Sequence, residues 1–352
     1  MKSVALAMIA RDEQRCIARC LDSVRPWVDR MVVLDTGSSD ATVQLARQHG
    51  AVVHAAPWED DFSLARNRVL ALADADWCVV LDADEWLVDG GPQLAALRDA
   101  TARFAGQLRV DSEFDVDHGV GVAPSWMARV APRGAAFVGR IHEQLQPGLA
   151  RRRLDVRVGH DGYRRAHQDA KRGRNEALLR RALQDHPEDP YLHYQLGKDL
   201  EHWGQWEVAC THYEHACNRG ADTDSWRHDL VVRRLYALKR TRRFEQALAW
   251  AEAQSARWGG SPDYHFVVGD LLLDLAIARP HSATTLLPQI ESSWKTCLAL
   301  GEHPELEGSV QGRGSYLAAH NLAAFHGSLG HAGPAEGYRR LEAELRRRHA
   351  TV

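Results

Sequence analysis

The chain has 352 residues, of which 45% are hydrophobic and 26% charged, and its formal net charge is −3 at pH 7. This near-neutral balance excludes the strongly basic surface typical of nucleic-acid-binding proteins and favours a globular protein with a substantial core. The length favours two domains over one.

Two features of the sequence predict a bacterial-type protein of the reducing cytoplasm. The N-terminal apolar run Val4–Ile9 is too short for a secretion signal, and no segment has 18 consecutive apolar residues. Docking to a membrane face stays open. The cysteines are scattered through both halves and predict small buried side chains rather than a metal site; they are Cys16, Cys20, Cys78, Cys210, Cys217 and Cys297.

The first 90 residues alternate between short apolar runs and amphipathic stretches. The predicted strands are Val4–Ile9, Met31–Leu34, Val52–His54 and Trp77–Leu81, and the predicted helices are Glu13–Val24, a helix capped by Ser39 or Asp40 that runs to His49, and Leu64–Ala73 capped by Ser63. This alternation predicts a Rossmann-like α/β domain with a mostly parallel sheet. In such sheets, ligands bind beyond the carboxyl ends of the strands.

The rest of the chain changes from strands to helices. Further strands are predicted at Gln107–Phe114, Ser125–Val130, Ala136–Val138 and Leu154–Val158. Leu192–Gly220 fits the tetratricopeptide helical repeat, and weaker copies lie at Leu235–Ala251, Phe266–Leu300 and Asn321–Tyr338. We therefore predict an α/β domain at residues 1–165, a connecting helix at 166–190 and an all-α tetratricopeptide-like domain at 191–352.

The loops after the first two strands carry candidate ligand-binding groups. The segment Ile9–Glu13 lacks the glycine pattern of dinucleotide oxidoreductases, and the chain has no G-x-x-x-x-G-K-S/T loop. Asp35 ends the second strand, where a carboxylate can accept an N–H group of a base. A simple turn is the alternative, and it accounts for Ser38, Ser39 and Asp40.

The segment Phe62–Asn67 opens the third predicted helix. Arg66 or Asn67 could contact a base or a phosphate from this position. A solvated helix face is the alternative.

Three carboxylates follow the fourth strand within four residues. Asp82, Asp84 and Glu85 come directly after the apolar run Trp77–Leu81. Like charges this close repel one another unless something neutralises them. Mg²⁺ and Mn²⁺ bind a few carboxylates together with substrate phosphates. We therefore expect a divalent-cation site here, with a solvated acidic turn as the alternative.

These segments together resemble the family 2 glycosyltransferases, which have a GT-A fold. The resemblance runs from Ser3 to Leu87 and is carried by V-V-L-D-T-G-S-S-D-A-T, F-S-L-A-R-N and D-W-C-V-V-L-D-A-D-E, in that order and spacing. G-R-I-H-E-Q-L, G-H-D-G-Y and K-R-G-R-N-E-A-L-L also resemble the branch with a C-terminal tetratricopeptide region, which includes the SunS-like peptide S-glycosyltransferases.

The resemblance implies that the first domain binds a UDP-sugar. Asp35 would bind the uracil N3–H, and Asp82 would lie near the ribose and the water shell of a metal ion. Asp84 would ligate that ion, Mn²⁺ or Mg²⁺, which bridges the diphosphate. The nucleotide-sugar-binding positions that carry over are Ala10 and Arg11 through their backbone, Asp35, Arg66, Asn67, Asp82 and Ala83.

Family 2 enzymes are usually inverting, which requires a base that deprotonates the acceptor. Glu143, in R-I-H-E, is our first candidate for this catalytic base, and Asp161 is the second. His142 and His160 are each either a further metal ligand or a structural side chain. We expect Glu85 to orient a neighbouring arginine or histidine.

Three functional hypotheses follow. The first is a UDP-hexose transferase whose acceptor is a peptide or protein held partly by the repeats, because stacked helices suit extended chains. The second keeps the chemistry and transfers the sugar to a cell-envelope saccharide or lipid. The third is a non-catalytic interaction protein with a degenerate transferase domain. No nucleic-acid partner or transmembrane segment is expected, and the oligomeric state, a homodimer included, stays open.

Overall fold

The computed structural model describes residues 1–116, 119–146, 148–163 and 173–350. The chain divides into two compact units, residues 1–187 and 188–352. The first unit contains a mixed sheet with helices, and the second is helical throughout its described residues. The predicted fold class, an α/β domain followed by helical repeats, is thereby confirmed.

The sheet of the first unit begins with four parallel strands. The strands of the first unit are β1 (Val4–Ala10), β2 (Arg30–Asp35), β3 (Val52–Ala55), β4 (Trp77–Val80), β5 (Glu85–Asp89), β6 (Ala105–Val116), β7 (Gly119–Pro132), β8 (Phe137–Val138), β9 (Gln144–Leu145) and β10 (Arg151–Tyr163). Eight of them form one sheet in the order β3-β2-β1-β4-β7-β6-β10-β5, and β8 pairs with β9. β1 to β4 run parallel, whereas β7 is antiparallel to both β4 and β6.

Helices of the first unit alternate with these strands or follow them along the chain. They are α1 (Ile17–Val24), α2 (Thr42–Gln48), α3 (Phe62–Ala73), α4 (Gly91–Ala95) and α5 (Arg174–Asp185). Successive residues of β1 point to opposite faces. Leu6 and Met8 therefore pack in one apolar cluster with Leu21 of α1. Ala5 packs in a second cluster with Val69 of α3.

Two helix starts differ from the prediction because side chains bind the backbone there. α3 begins at Phe62, since Asp61 and not Ser63 caps it: Asp61 Oδ1 accepts the Leu64 N–H at 3.0 Å. α1 begins at Ile17 rather than Glu13. The Glu13 N–H instead donates to Thr42 Oγ1 at 2.7 Å, which ties the loop after β1 to α2.

The connecting helix predicted at 166–190 corresponds in part to α5. Residues 164–172 lie outside the described residues, so the start of that helix is not described. α5 falls within the first compact unit, which ends at Pro187.

The second unit consists of consecutive helices joined by short turns and one longer loop. They are α6 (Pro190–His202), α7 (Trp206–Arg219), α8 (Arg227–Arg240), α9 (Phe244–Trp258), α10 (Pro262–Ala278), α11 (Ala283–Leu300), α12 (Tyr316–Ser328) and α13 (Ala332–Ala350). Each predicted repeat copy lies on two consecutive helices. The first copy packs closely because a Cβ at Gly197 of α6 would lie 2.5 Å from Tyr213 Cε1 of α7.

Two further expectations can be compared with the structure. All six cysteines are buried and form no disulfide, as predicted. Across residues 1–116, 119–146, 148–163 and 173–350, we find no helix with the length and apolar character needed to cross a membrane.

Candidate active site at the carboxyl ends of the strands

The parallel strands bring the predicted binding segments to one edge of the sheet. Ala10 at the end of β1 pairs in register with Asp35 at the end of β2. β4 ends at Val80 beside β1, and the turn that contains Asp82 and Asp84 follows directly. The sheet topology thereby brings three segments that are distant in sequence together at one edge, as expected for a parallel sheet.

Asp35 is buried and is held by the turn that follows it. Its carboxylate accepts the backbone N–H groups of Gly37 and Ser38, each at 3.1 Å. The same turn contacts the loop after β1, where Asp12 Oδ1 accepts the Ser39 N–H at 2.7 Å. Arg11 has an exposed side chain that lies 3.8 Å from Asp12. The two loops therefore support each other beside Asp35.

Arg66 lies buried among carboxylates. Its Nη2 donates to Asp82 Oδ1 at 2.8 Å, and its Nε donates to Glu143. The solvated helix face that was the alternative for Arg66 is therefore wrong. Asn67 has a different role: its side chain exchanges two hydrogen bonds with the backbone of Phe137, at 2.9 and 2.7 Å, and anchors β8 to α3.

The carboxylate cluster is neutralised in part by arginine. Arg129 Nη2 on β7 donates to Asp82 Oδ2 at 2.8 Å and to Glu85 Oε1 at 2.5 Å. Glu85 Oε2 also accepts the Asp82 N–H at 2.9 Å. Something was expected to neutralise these three carboxylates, and arginines do so in part: Arg66 pairs with Asp82, and Arg129 pairs with both Asp82 and Glu85.

These ion pairs set the protonation of the cluster. Burial works to raise the pKa of Asp82, but the charges of Arg66 and Arg129 outweigh it and lower that pKa well below its usual range. Burial raises the pKa of Glu85 despite its contact with Arg129. The Asp82 side chain is still 35% exposed, so an ionised carboxylate at this position faces the cleft.

Asp84 pairs with a histidine of β10, the strand that neighbours β5. β10 runs antiparallel to β5 and brings His160 opposite Glu85. His160 Nε2 lies 3.6 Å from Asp84 Oδ2, and His160 Nδ1 lies 3.0 Å from Ser112 Oγ on β6. Burial works to lower the pKa of His160, but the hydrogen bond and charge of Asp84 outweigh it and raise that pKa.

Gly162 lies directly against these two side chains and leaves no room for a Cβ. A Cβ at Gly162 would lie 2.5 Å from His160 Nε2 and closer still to Asp84 Oδ2. Among the residues that the structure describes, no set of three His, Cys, Asp or Glu side chains is arranged to hold a metal ion. The Asp84 carboxylate and the His160 imidazole, which lie this close together, fit a metal ion that takes its other ligands from substrate phosphates and water.

The two candidate bases are both held by arginines. Glu143 pairs with Arg66 and has a side chain only 9% exposed. Asp161 accepts hydrogen bonds from Arg15 at 3.0 Å and from Arg19 at 2.8 Å. Burial works to raise the pKa of Asp161, but its hydrogen bonds to these two arginines lower it.

His142, the other candidate metal ligand, lies in the turn between β8 and β9. Its backbone is left-handed, with φ of 52°, a conformation that non-glycine residues rarely adopt. The neighbouring Arg140 carbonyl accepts the Phe62 N–H at 2.8 Å, which fixes this turn against α3. The histidine that lies beside Asp84 is His160.

Three arginines of the site were missed by sequence reasoning. Arg129 could have been noticed as a lone cation in the apolar run Trp126–Ala131. Arg15 and Arg19 lie four residues apart, as expected for one face of a helix. They gave no signal of their own, because their partner Asp161 is distant in sequence.

Comparison with known proteins identifies the family of the first unit. Residues 6–118 match the sequence profile described as Glycosyl transferase family 2. A TPR repeat-containing protein of Synechococcus elongatus is 34% identical over 251 residues, which cover 66% of this chain and 60% of that protein. The SPbeta prophage-derived glycosyltransferase SunS of Bacillus subtilis is 23% identical over 237 residues, which cover 64% of this chain and 56% of that protein.

Among solved structures, glucosyl-3-phosphoglycerate synthase from Mycobacterium tuberculosis is 26% identical, with a TM-score of 0.25, over 32% of this chain and 44% of that one. The chain spans about three fifths of the length of the two curated relatives. The match over residues 6–118 includes Asp35, Asp82, Asp84 and Glu85, whereas Glu143, His160 and Asp161 lie beyond it. The chain therefore carries a family 2 glycosyltransferase domain, followed by tetratricopeptide-like helical repeats.

Proposed function

We propose that the protein is a metal-dependent, inverting glycosyltransferase that moves a hexose from a UDP-sugar to a peptide or protein acceptor. The observation that carries this proposal is the pairing of Asp84 and His160 beside Gly162. Asp84 and His160 lie at the edge of the sheet where parallel α/β folds bind ligands. The family 2 match over residues 6–118, which include Asp84, supports the reaction class.

The nucleotide end of the donor is assigned to the loops after β1 and β2. Each oxygen of the Asp35 carboxylate accepts more than one hydrogen bond, so the contacts with Gly37 and Ser38 leave room for the uracil N3–H. The backbone of Ala10 and Arg11 lies beside Asp35 and holds the base in this proposal. The ionised Asp82 carboxylate, with Ala83 beside it, then faces the ribose.

Asp84 and His160 are the residues that would hold Mn²⁺ or Mg²⁺. If neutral His160 carries its proton on Nδ1, toward Ser112, Nε2 would ligate the ion in place of its contact with Asp84, in the usual arrangement of a histidine ligand. The bound ion supplies positive charge to the diphosphate as UDP departs. His142 is retained as a weaker candidate ligand.

The acceptor is activated by a base on the other side of the cleft. Glu143 is our first candidate because Arg66, which contacts both Glu143 and Asp82, holds it close to the carboxylate cluster. The acceptor atom attacks the anomeric carbon as the bond to UDP breaks, UDP takes the electron pair, and Glu143 takes the acceptor proton. Asp161 is the second candidate, and its pair of arginines makes it a weaker base.

A turnover assay with matched variants tests this function. Wild-type protein with Mn²⁺ and a panel of UDP-sugars should release UDP, and chelation of the metal should abolish the release. Asp84→Asn should lose activity, whereas Asp155→Asn, an exposed carboxylate on the same strand as His160, should retain it. Wild-type protein that neither releases nor binds UDP would exclude both the peptide and the cell-envelope versions of the transferase.

The choice of acceptor has a separate test. Sugar transferred from the active donor to added peptides but not to lipid or saccharide acceptors would support the peptide assignment. Transfer to envelope saccharides or lipids alone would favour the second hypothesis.

A further inference from the structure

Residues 301–315 form a loop between α11 and α12 that lies across the first turns of α8 and α10. We call it the 301–315 loop. The Glu307 carbonyl oxygen accepts a hydrogen bond from His228 Nδ1 of α8 at 2.7 Å. The Val310 N–H donates to Asp263 Oδ1 of α10 at 3.0 Å. Two buried side chains, His228 at 2% exposure and Asp263 at 1%, thus bind the backbone of the loop.

The loop also has residues that fit individual positions of this surface. Gly308 has φ of +75°, and a Cβ there would lie 2.5 Å from Asp229 Cβ and closer still to the Asp229 carboxylate. Arg313 Nη1 donates to Asp263 Oδ1 at 3.0 Å. The negative charge of Glu307 acts on Lys198 of α6, where it opposes the lowering of the amine pKa by burial. The helices under the loop therefore interact with three of its residues at fixed spacing, namely Glu307, Gly308 and Arg313.

The surface under the loop is unlike a permanent packing interface. It presents His228, Asp229 and Asp263, and burial of charged groups is costly even when they are paired. The loop covers these groups with little apolar contact, because its side chains Leu306 and Val310 stay partly exposed. Polar contacts of this kind add only modest net stability, since water offers equivalent hydrogen bonds.

One buried group in the contact is left without a partner. Among the described residues, the Ser309 hydroxyl is buried with no hydrogen-bond partner, which further weakens the seating of the loop. The contact as a whole is therefore polar and specific in position.

The two ends of the loop meet, so the loop can leave the surface without separating its flanking helices. A Cβ at Gly314 would collide with the Gly301 carbonyl oxygen and lie 2.8 Å from the Glu302 backbone nitrogen. A compact loop with touching ends is an Ω-loop, a class that is often functional. Displacement then costs the contacts with α8 and α10 and leaves α11 and α12 in place.

We propose that this face of α8 and α10 is a peptide-binding surface, which in the free protein holds the 301–315 loop as an internal ligand. The partner that fits it is an extended polypeptide segment with Glu-Gly followed by arginine five residues after the glycine. In such a segment the carbonyl of the glutamate would accept the hydrogen bond from His228, and the glycine would fit against Asp229. The arginine would pair with Asp263. The proposal holds whether or not the first unit transfers a sugar.

The test uses the full chain and a fluorescent peptide with the sequence of residues 303–314. In wild type the tethered loop competes at high effective concentration and weakens peptide binding. Gly308→Ala should expel the loop and bind the peptide at least tenfold more tightly than wild type in an anisotropy titration. Gly330→Ala is the matched control, because it has a similar φ of +77° and nothing within 4 Å of the added Cβ. It should bind like wild type.

A second variant keeps the test decisive if Gly308→Ala does not fold. Arg313→Ala removes the hydrogen-bonded ion pair with Asp263 and the contact with the Phe266 ring without inserting an atom, and it should raise peptide affinity and hydrogen exchange in residues 301–315 alone. A peptide with alanine at the position of Gly308 should not bind either variant. The proposal is overturned if Arg313→Ala, folded by circular dichroism, binds the peptide no better than wild type, or if the alanine peptide binds as well as the native one.

Discussion

Gly162→Ala should disable the candidate active site while leaving the fold intact. Gly162 is buried beside Asp84 and His160, and its φ is outside the left-handed range, so alanine introduces no backbone strain. The added Cβ would lie 2.5 Å from His160 Nε2, whereas ordinary van der Waals contact begins at 3.4 Å. The imidazole, the carboxylate or the strand must therefore move by about 1 Å.

A shift of this size is enough to disrupt catalysis. Misplacement of a catalytic group by about 1 Å can reduce the rate roughly 100-fold, which corresponds to about 2.7 kcal/mol. We therefore expect kcat/KM for the UDP-sugar to fall about 100-fold in Gly162→Ala. Overpacking of a buried site should cost about 1–3 kcal/mol of unfolding free energy, which leaves a stable protein measurable by urea denaturation.

Gly159→Ala is the matched control on the same strand. A Cβ at Gly159 would meet the Trp86 ring instead of the Asp84–His160 pair. The control should lose a similar amount of stability and keep most of its activity. Equal loss of activity in both variants, or wild-type kcat/KM in a folded Gly162→Ala, would refute the assignment of the Asp84–His160 pair to substrate and metal.

Three further predictions concern stability. Arg129→Met leaves the buried Glu85 carboxylate without this partner and should lower the unfolding free energy by about 3–5 kcal/mol in urea denaturation; a loss below about 1 kcal/mol would contradict the ion-pair network. Gly197→Ala places a Cβ 2.5 Å from Tyr213 and should destabilise the second unit by about 1–3 kcal/mol, and unchanged thermal unfolding would argue against this close packing. Burial raises the pKa of Asp270 to about 6, so its stabilising contribution is present below pH 4 and lost as pH rises through 6. Asp270→Asn should therefore gain up to about 3 kcal/mol over wild type at pH 8 and little at pH 4, and a difference independent of pH would contradict the shift.

The order of strands and helices in the first unit followed from the sequence because periodicity reports burial directly. β1 and β4 are continuous apolar runs, and β4 ends beside three carboxylates, so the edge that carries the site could be predicted. The capping error at α3 was small and local, since Asp61 and Ser63 are both competent caps and only the backbone geometry distinguishes them.

The partners of the carboxylates could not be read from the sequence. Local spacing shows that Asp82 and Glu85 lie close together, but it does not show which distant cation meets them. Arg129 reaches them only because β7 inserts antiparallel beside β4, a pairing that leaves no local pattern. The same holds for His160, which β10 brings to Asp84 from 76 residues away in sequence. Long-range strand pairing therefore determines the roles within the cluster.

The central claim is that Asp84 and His160 hold a metal ion that binds the diphosphate of a UDP-sugar. The most direct measurement is anomalous diffraction from a crystal grown with Mn²⁺ and UDP. The account predicts an anomalous peak within bonding distance of the Asp84 carboxylate and His160 Nε2, with the uracil ring beside Asp35. A manganese peak at another place, or UDP bound away from the carboxyl ends of β1, β2 and β4, would contradict it.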